Sequence, residues 1–346
     1  MHYLAITMGD AAGIGPEILV KALAHKHIYE NCVPIVIGDR APLQDAIDFC
    51  HLPLKLHEIK DVAEAEGVFG IIDYIDLHFL KPGDWKYKTV CKSSGEASFQ
   101  YIMCGIQLAM ERKVSGVVTG PINKEAINLA GHHYSGHTEI FADFTHTHDY
   151  AMLLISKNLR VIHVTTHVSM RNACDIIREH PERVEQAILL AQDAMEQLNI
   201  AHPQIAVAGL NAHSSENGLF GDEEEVSIIP AIKRCRQRGI DVDGPVPPDT
   251  VFVKAMAGQY DVVVAMYHDQ GHIPLKLSGF KIDPVAGKYT SMAGVNTTIG
   301  LPIIRTSVDH GTAFGKAGEG RANEESMIDA IDVAVVMANK RFPIQL

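Results

Sequence analysis

Short apolar runs without alternation recur along the chain and predict strands that are buried on both faces. Residues 262–266 have this character, and the segments 2–7 and 34–39 are also predicted to be strands. Strands covered on both faces are typical of parallel sheets flanked by helices. Between such runs, the segments 96–113 and 181–199 repeat apolar residues at helical intervals. The alternation of the two patterns, without internal repeats, predicts an α/β protein with a mostly parallel sheet.

A histidine follows three strand-like runs near the point where each run ends. These are His167 in RVIHVTTH, His213 in PQIAVAGLNAH and His268 in YDVVVAMYHDQGHIPLKL. The chain has 19 histidines, and any one of them is more often a surface or core residue than a ligand. Because the carboxyl ends of parallel strands meet at one sheet edge, the shared position favours a three-imidazole metal site. Neutral imidazoles suit zinc, cobalt or iron better than magnesium.

Size and charge exclude several classes of protein. A chain of 346 residues exceeds what one core accommodates efficiently, so two domains are expected. The formal charge of −12 argues against a nucleic-acid or anionic membrane surface. An anionic substrate therefore requires a local basic pocket. Six cysteines without a CxxC pair indicate reduced thiols, and the lack of a secretory signal or membrane-length apolar run predicts a cytoplasmic protein.

Two glycine-containing segments are candidate ligand sites. In MGDAAGIGPEI, Gly13 and Gly15 form a turn between a strand and a helix, where a phosphate can be received. An ordinary strand-to-helix turn is at least as consistent with this local pattern. In SGHTE, His137 and Thr138 have side chains that could face a ligand.

Two further residues and one segment each have more than one interpretation. Lys124 lies at a turn that is equally typical of an ordinary helix start. Asp249 ends a proline-rich turn, where it is either a helix cap or a site carboxylate. The segment 279–294 predicts a long loop, and such loops are usually functional or mobile.

Eight motifs occur in a fixed order between about residue 4 and residue 314. They are GDAAGIGPEI, PINKEAI, SGHTE, HVTTH, GLNAHSSENGLFGDEE, GPVPPDTVF, YHDQGHIPLK and VNTTIGLPIIRTSVDHGTAF. With them the chain resembles the 4-hydroxythreonine-4-phosphate dehydrogenase family. GHIPLK and ENGLFGDEE are most similar to the branch that acts on D-threonate or D-erythronate 4-phosphate.

The resemblance implies a two-domain α/β/α fold of the isocitrate/isopropylmalate dehydrogenase type. A terminal domain of residues 1–127 and 299–346 would carry the nucleotide-binding loops. A central domain of residues 128–298 would carry the metal histidines and the dimer contacts. The implied assembly is a homodimer in which the partner subunit completes the active site.

The resemblance also implies the roles of individual residues. One divalent metal per subunit, zinc first and magnesium or cobalt as alternatives, would bind His167, His213 and His268. The implied substrate-binding residues are His137, Thr138, Lys276, Asn296 and Arg305. The implied cofactor-binding residues are Asp10, Gly13, Gly15, His310, Gly311, Thr312 and Ala313. The candidates for accepting the hydroxyl proton are Lys124, Asp249 and Asp269, and Asp269 has the alternative role of orienting a metal histidine.

The implied reaction, associated with pyridoxine biosynthesis, is oxidation of a phosphorylated 3-hydroxy acid by NAD followed by decarboxylation. Gly315 and Lys316 replace an acidic-apolar pair expected after HGTAF, so NADP is an alternative cofactor. Within the family, the rival is a cis-dihydrodiol dehydrogenase acting on an aromatic acid. Outside it, a three-histidine site on an α/β fold suits a metal-dependent hydrolase or aldolase, and a non-catalytic binding protein would show neither metal nor turnover.

Overall fold

The computed structural model describes residues 1–284 and 288–343, which form two compact units. The first unit is Met1–His148 with Leu301–Leu346, and the second is Asp149–Gly300. Residues 128–148 therefore belong to the first unit, whereas the sequence analysis assigned them to the central domain.

The chain up to His148 alternates strands with helices. Its elements are β1 (His2–Thr7), α1 (Gly15–Ala22), α2 (Lys26–Asn31), β2 (Cys32–Ile37), α3 (Arg40–Phe49), β3 (Lys55–Glu58), β4 (Ile71–Ile75), α4 (Lys92–Met110), β5 (Gly116–Thr119), α5 (Lys124–Leu129) and α6 (His137–Phe144). The strands are parallel in the order β3-β4-β2-β1-β5. Every residue of β2 and β5 is buried, as expected for strands covered on both faces.

The strands of the second unit pair in both parallel and antiparallel directions. Its elements are β6 (Ala151–Ser156), β7 (Leu159–His163), α7 (Met170–Glu179), α8 (Glu182–Gln197), β8 (Ile205–Ala208), α9 (Ile229–Gln237), β9 (Val242–Val246), α10 (Val251–Met256), β10 (Val262–Ala265), α11 (His268–Gly279), β11 (Phe280–Asp283), β12 (Lys288–Met292) and β13 (Val295–Ile299). The sheet order is β13-β6-β7-β10-β8-β9. Strands β7, β10, β8 and β9 run parallel, and β6 is antiparallel to both of its neighbours.

The chain then returns to the first unit through β14 (Ile304–Val308) and α12 (Glu325–Arg341). Strand β14 pairs in parallel with β5, and it is buried along its whole length. The Thr306 hydroxyl donates to the Ala330 carbonyl at 2.7 Å, which ties β14 to α12.

The α/β class and the mostly parallel pairing are confirmed. One local prediction was wrong, because the segment 279–294 contains the antiparallel pair β11 and β12 rather than a long loop. Asp283 and Pro284, two turn-forming residues between short strand-like runs, were the available signal. None of the helices within the described ranges is long and apolar enough to cross a bilayer.

An ion pair between the partly buried Lys21 and the buried Glu17 attaches the segment 315–323 to helix α1. Lys21 Nζ donates to Glu17 Oε1 at 2.9 Å, to the Gly320 carbonyl at 2.8 Å and to the Ala322 carbonyl at 2.7 Å. An ammonium group has three donors, so all of them are used. Glu17 is 1% exposed, and it also accepts the Ala322 N–H at 2.6 Å. Losing one partner of a buried pair leaves the other charge uncompensated, so this contact pins the segment.

We predict that Lys21→Met releases the segment 315–323 from α1. Amide hydrogen exchange, followed by mass spectrometry, should accelerate there more than in β1. The free energy of unfolding in urea should fall by about 3 kcal/mol, because Glu17 stays buried without its partner.

Lys26→Met is the matched control, since it removes an exposed i,i+4 pair with Glu30, and should cost less than about 1 kcal/mol. Equal losses in the two variants, or unchanged exchange at 315–323, would contradict the anchoring role.

Candidate active site

The glycine turn before α1 lies in contact with the segment 310–313. A Cβ on Gly13 would lie 2.8 Å from the Thr312 carbonyl oxygen, and the Ile14 N–H donates to that carbonyl at 3.0 Å. A Cβ on Gly15 would lie 2.3 Å from the Met8 carbonyl oxygen. Both glycines are therefore needed for close backbone approach. The implied cofactor-binding residues from both segments come together within the first unit.

Two polar side chains, Asp10 and His310, make hydrogen bonds within the glycine turn before α1 and the segment 310–313. Asp10 is fully buried, and its Oδ1 accepts the Ala12 N–H at 2.8 Å. Burial raises the pKa of Asp10, and the hydrogen bond from Ala12 opposes that shift. His310 Nδ1 donates to the Gly311 carbonyl at 3.0 Å, and burial lowers the pKa of His310. Asp10 therefore orders the turn, while His310 stays neutral near pH 7.

A buried guanidinium forms the centre of a candidate anion pocket in the first unit. Arg305 on β14 is 2% exposed, and its Nη2 donates to Thr119 Oγ1 at 3.0 Å. Its Cζ lies 5.7 Å from the centre of the Phe141 ring, a cation–π contact. Burial lowers the pKa of Arg305 to about 9, and Glu139 opposes the shift. The group therefore keeps its charge at neutral pH.

His137 and Thr138 begin helix α6 in the same unit. Burial lowers the pKa of His137 well below its usual value, and the charges of Arg305 and Lys124 lower it further. The neutral ring has a buried Nε2 atom without a hydrogen-bond partner among the described residues. A buried polar atom without a partner is unusual. Its position near two cations suits a bound anion.

Lys124 is exposed at the first position of α5. Asn123 caps this helix, because its side chain accepts the Ala126 N–H at 2.9 Å. The turn is thus an ordinary helix start that also places an ammonium group near His137. The contacts of Arg305 with Thr119 and Phe141 had no local sequence signal, since more than 160 residues separate the partners in the chain.

The three predicted metal histidines follow neighbouring strands of the second unit. Strand β10 pairs in parallel with β7 on one side and with β8 on the other. His167, His268 and His213 follow these strands at the same edge, and all three are at least partly exposed.

Two of these histidines are spaced as metal ligands would be. The ring centres of His167 and His268 are 6.1 Å apart. Imidazoles sharing a tetrahedral ion at about 2.1 Å place their ring centres roughly 5–6 Å apart. His268 Nδ1 hydrogen-bonds Asp269 Oδ1 at 2.7 Å, and this bond lowers the pKa of Asp269. With Nδ1 donating, the lone pair of His268 is on Nε2, the usual arrangement of a metal-binding histidine.

His213 lies on an unusual turn. Residues 213–217 all have positive φ although none is glycine, and the His213 ring contacts Phe220. Within residues 1–284 and 288–343, no three His, Cys, Asp or Glu side chains are assembled into a site that could hold a metal ion. The donor types and the His167–His268 spacing fit a metal, and a third ligand requires the His213 ring to approach the other two.

Two further histidines lie beside His268. The His272 ring stacks on His268 at 3.6 Å, and the His163 ring lies 4.9 Å from His272. Burial lowers the pKa of His163 to about 3 and that of His272 to about 4. His272 is four residues after His268, so its place on the same helix face was readable from the sequence. The contact between the His272 and His163 rings could be seen only in the tertiary structure.

The remaining predicted residues also lie in the second unit. Lys276 is exposed on α11, with Nζ 5.8 Å from the Phe280 ring centre. Asn296 lies on β13 opposite Leu154. Asp249 is exposed directly before Thr250, the N-cap residue of α10. The N-cap position is thus occupied by Thr250, whose side chain makes no capping hydrogen bond, so the helix-cap interpretation of Asp249 was wrong.

A groove of about 610 Å³ lies elsewhere in the first unit, between α3 and the segment after β4. Its ionisable lining residues are three carboxylates and three basic side chains, Asp45, Asp48, Asp76, Arg40, His78 and Lys81. None of the predicted site residues lines it. Because Arg40 and Lys81 face three carboxylates, the groove lacks the positive excess that a phosphate site requires.

Comparison with known proteins identifies the family. Residues 30–334 match the family described as Pyridoxal phosphate biosynthetic protein PdxA. The chain is similar to the D-threonate 4-phosphate dehydrogenases of Salmonella typhimurium, 47% identical over 97% of this chain and 98% of that one, and of Cupriavidus necator, 45% identical over 98% of each. A crystal structure of 4-hydroxythreonine-4-phosphate dehydrogenase from Klebsiella pneumoniae matches with a TM-score of 0.84 and 43% identity, over 98% of this chain and all of that one. The chain therefore belongs to the PdxA family.

Proposed function

We propose that the protein is a metal-dependent, NAD-dependent dehydrogenase that oxidises and decarboxylates a 4-phosphorylated 3-hydroxy acid. D-threonate 4-phosphate and D-erythronate 4-phosphate are the first candidates, and 4-hydroxythreonine 4-phosphate is the next. Dehydrogenase activity is the common element in the names of the relatives.

The proposal is based on two buried groups of the first unit, the charged guanidinium of Arg305 and the neutral imidazole of His137. Arg305 is buried without losing its charge, and the Nε2 of His137 lacks a partner. A phosphate group would accept hydrogen bonds from the Arg305 fork and from the Thr138 hydroxyl. It would also stabilise a proton on His137. The protonated ring would add a second positive charge, so the pocket could bind a phosphate dianion. This local positive site overcomes the net charge of −12, whose field is largely screened beyond about 8 Å at physiological salt.

Other residues of the chain would bind the metal ion and accept the hydroxyl proton. A divalent ion on His167, His213 and His268 would polarise the substrate hydroxyl and stabilise the charge left when carbon dioxide departs. Asp269 orients His268 through its Nδ1, so it is a poor choice for proton acceptor. Lys124 and Asp249 are the candidates for that step.

The segments around Gly13, Gly15 and Thr312 would hold the dinucleotide, which would supply the hydride acceptor. NAD is the proposed cofactor. Lys316 adds a positive charge to the same segment and lowers the pKa of His310. This feature makes NADP the alternative, and paired assays with the two dinucleotides decide between them.

The substrate class is tested by comparing each phosphorylated acid with its dephosphorylated counterpart in an assay of NADH absorbance. We expect kcat/KM to be on the order of a hundredfold or more higher for the phosphorylated acid, because each charge-assisted hydrogen bond is worth roughly 1.5–3 kcal/mol. Arg305→Ala should shrink this ratio. Arg305→Lys should shrink it less, since it keeps the charge but loses the fork.

The ratio of the two substrates is a safer measure than activity alone, because it does not depend on how much variant protein folds. Equal rates with and without phosphate would reject the phosphate site and favour oxidation of an aromatic cis-dihydrodiol. Turnover without any dinucleotide would favour a hydrolase or aldolase.

The metal site is tested by measuring bound metal directly. Wild-type protein should bind one divalent ion per chain, and a chelator should abolish NADH formation until the ion is restored. His167→Ala, His213→Ala and His268→Ala should each bind substoichiometric metal. His202→Ala is the control, because His202 is exposed and lies away from the three strand ends. A variant that retains a full complement of metal would remove its residue from the site.

We also propose that the active unit is a homodimer that uses the apolar face of α11 and β11. Ile273, Leu277 and Ile282 are 58%, 78% and 55% exposed. A patch of exposed large apolar side chains indicates an interaction surface. Because α11 also carries His268 and Lys276, a second copy packed there would lie beside the candidate site.

Leu277→Asp should therefore shift the protein to monomers in sedimentation equilibrium, because the new charge would be buried in the interface. Activity should fall in parallel and depend on protein concentration. Leu129→Asp, which places the same change on α5 of the first unit at a residue 56% exposed, should leave the assembly unchanged. A monomeric wild-type protein, or a fully dimeric Leu277→Asp variant, would reject this interface.

A further inference from the structure

Two cations and one carboxylate meet beside the segments that are candidates for holding the dinucleotide. The Lys88 ammonium donates to Glu319 Oε1, and the Arg321 guanidinium donates to Glu319 Oε2. All three side chains are partly exposed, so a ligand bound there could reach them. The residues predicted to bind the cofactor do not include any of the three.

Lys88 is fixed beside the glycine turn before α1. Its N–H donates to the Ala12 carbonyl at 2.9 Å, and its φ of 65° is a left-handed value that residues other than glycine disfavour. The neighbouring Tyr87 donates its hydroxyl proton to Asp45 Oδ2 at 2.6 Å. The Tyr87 ring lies against Gly318, where a Cβ would approach the ring to 2.7 Å. These contacts hold Lys88 between the glycine turn and the segment 315–323.

Arg321 is attached to the other candidate segment. Its Nη2 donates to the Gly315 carbonyl at 3.4 Å, two residues after Ala313. Lys21 also contacts the segment 315–323, but it uses all three of its donors within the protein. Lys88 and Arg321 have donors beyond those that Glu319 and Gly315 accept, so these two cations remain able to bind an added anion.

Glu319 controls how much positive charge this cluster presents. The hydrogen bonds from Lys88 and Arg321 lower the pKa of Glu319 to about 2, so it is a carboxylate at neutral pH and neutralises one of the two cations. In other dinucleotide sites, an acidic residue accepts a hydrogen bond from the ribose 2′-hydroxyl of NAD, whereas an arginine binds the 2′-phosphate of NADP. A phosphate near this cluster would compete with Glu319 for both cations and would be repelled by its charge.

We propose that Glu319 determines a preference for NAD over NADP by engaging Lys88 and Arg321 and by repelling a 2′-phosphate. The inference rests on the proposed function, because it takes the dinucleotide to be held by the segments around Gly13 and Thr312. It opposes the effect of Lys316, whose charge alone would favour NADP.

The test measures the dissociation constants of NAD and NADP by isothermal titration calorimetry on the full-length protein. Glu319→Gln removes the negative charge at nearly constant shape. A triple variant combines Glu319→Gln with Lys88→Met and Arg321→Met. Glu30→Gln is the matched control, because it removes one negative charge from an exposed ion pair with Lys26 on α2. The ratio of the two constants is taken within each variant, so a change in stability affects both measurements alike.

We expect wild type to bind NAD more tightly than NADP. Glu319→Gln should bind NADP about tenfold or more tightly than wild type does, because the 2′-phosphate gains at least one charge-assisted hydrogen bond. Its affinity for NAD should change by less than about threefold, since the 2′-hydroxyl is neutral. The gain for NADP should shrink at high salt and disappear in the triple variant, and Glu30→Gln should match wild type.

Equal changes for NAD and NADP in Glu319→Gln, or a wild type that binds NADP at least as tightly as NAD, would overturn the inference while leaving the dinucleotide site intact. A gain for NADP that persists in the triple variant would overturn the role given to Lys88 and Arg321. A wild type that binds neither dinucleotide would instead reject the proposed cofactor, and the inference with it.

Discussion

Burial of parallel strands on both faces is the constraint on which the candidate sites depend. In the first unit β1, β5 and β14 are almost wholly buried, and in the second unit the same holds for β7, β8 and β10. Strands of this kind leave little room for polar side chains along their length. Ligand-binding groups are therefore expected in the turns beyond the carboxyl ends. Arg305 differs in that its charge is buried on a strand and must be compensated there.

The compensation of Arg305 explains how an acidic protein can provide a cationic site. The Thr119 hydroxyl accepts one of its N–H groups, the Phe141 ring covers the guanidinium, and Glu139 supports its charge. Desolvation lowers the pKa of both basic groups of this pocket, but with different outcomes. It is too small to discharge Arg305, whose usual pKa is far above 7, but it is large enough to keep His137 neutral. One pocket thus contains a permanent charge and a ring that can gain a proton.

Anchoring of loops is the second recurrent theme. In the first unit the Lys21–Glu17 pair holds the segment 315–323 against α1, and the Thr312 carbonyl receives the Ile14 N–H. In the second unit Thr165 and Gln270 meet at the Met266 peptide groups. Each anchor is a buried polar contact, which is costly to break because the groups released have no water to replace their partners. Segments that lack regular secondary structure are thereby given fixed positions.

The sequence by itself determined the elements whose signal is local. The apolar run 2–7 coincides with β1, and the runs around 34–39 and 262–266 correspond to β2 and β10 within two residues. The class of fold followed from the alternation of these runs with helical periodicity. The positions of His167, His213 and His268 just beyond three strand-like runs also followed, because the end of a buried strand is visible as a change from apolar to polar residues.

Only the tertiary structure decided which distant groups meet. The Lys21 contact with Gly320 and the Arg305 contact with Thr119 join residues far apart in the chain, and no local pattern specifies such pairs. The inclusion of residues 128–148 in the first unit also depended on packing. The hairpin of β11 and β12 was missed because short strands with few apolar residues carry a weak signal. The reason is common to all of these cases: periodicity reports how one segment is covered, whereas the partner that covers it is chosen by the fold as a whole.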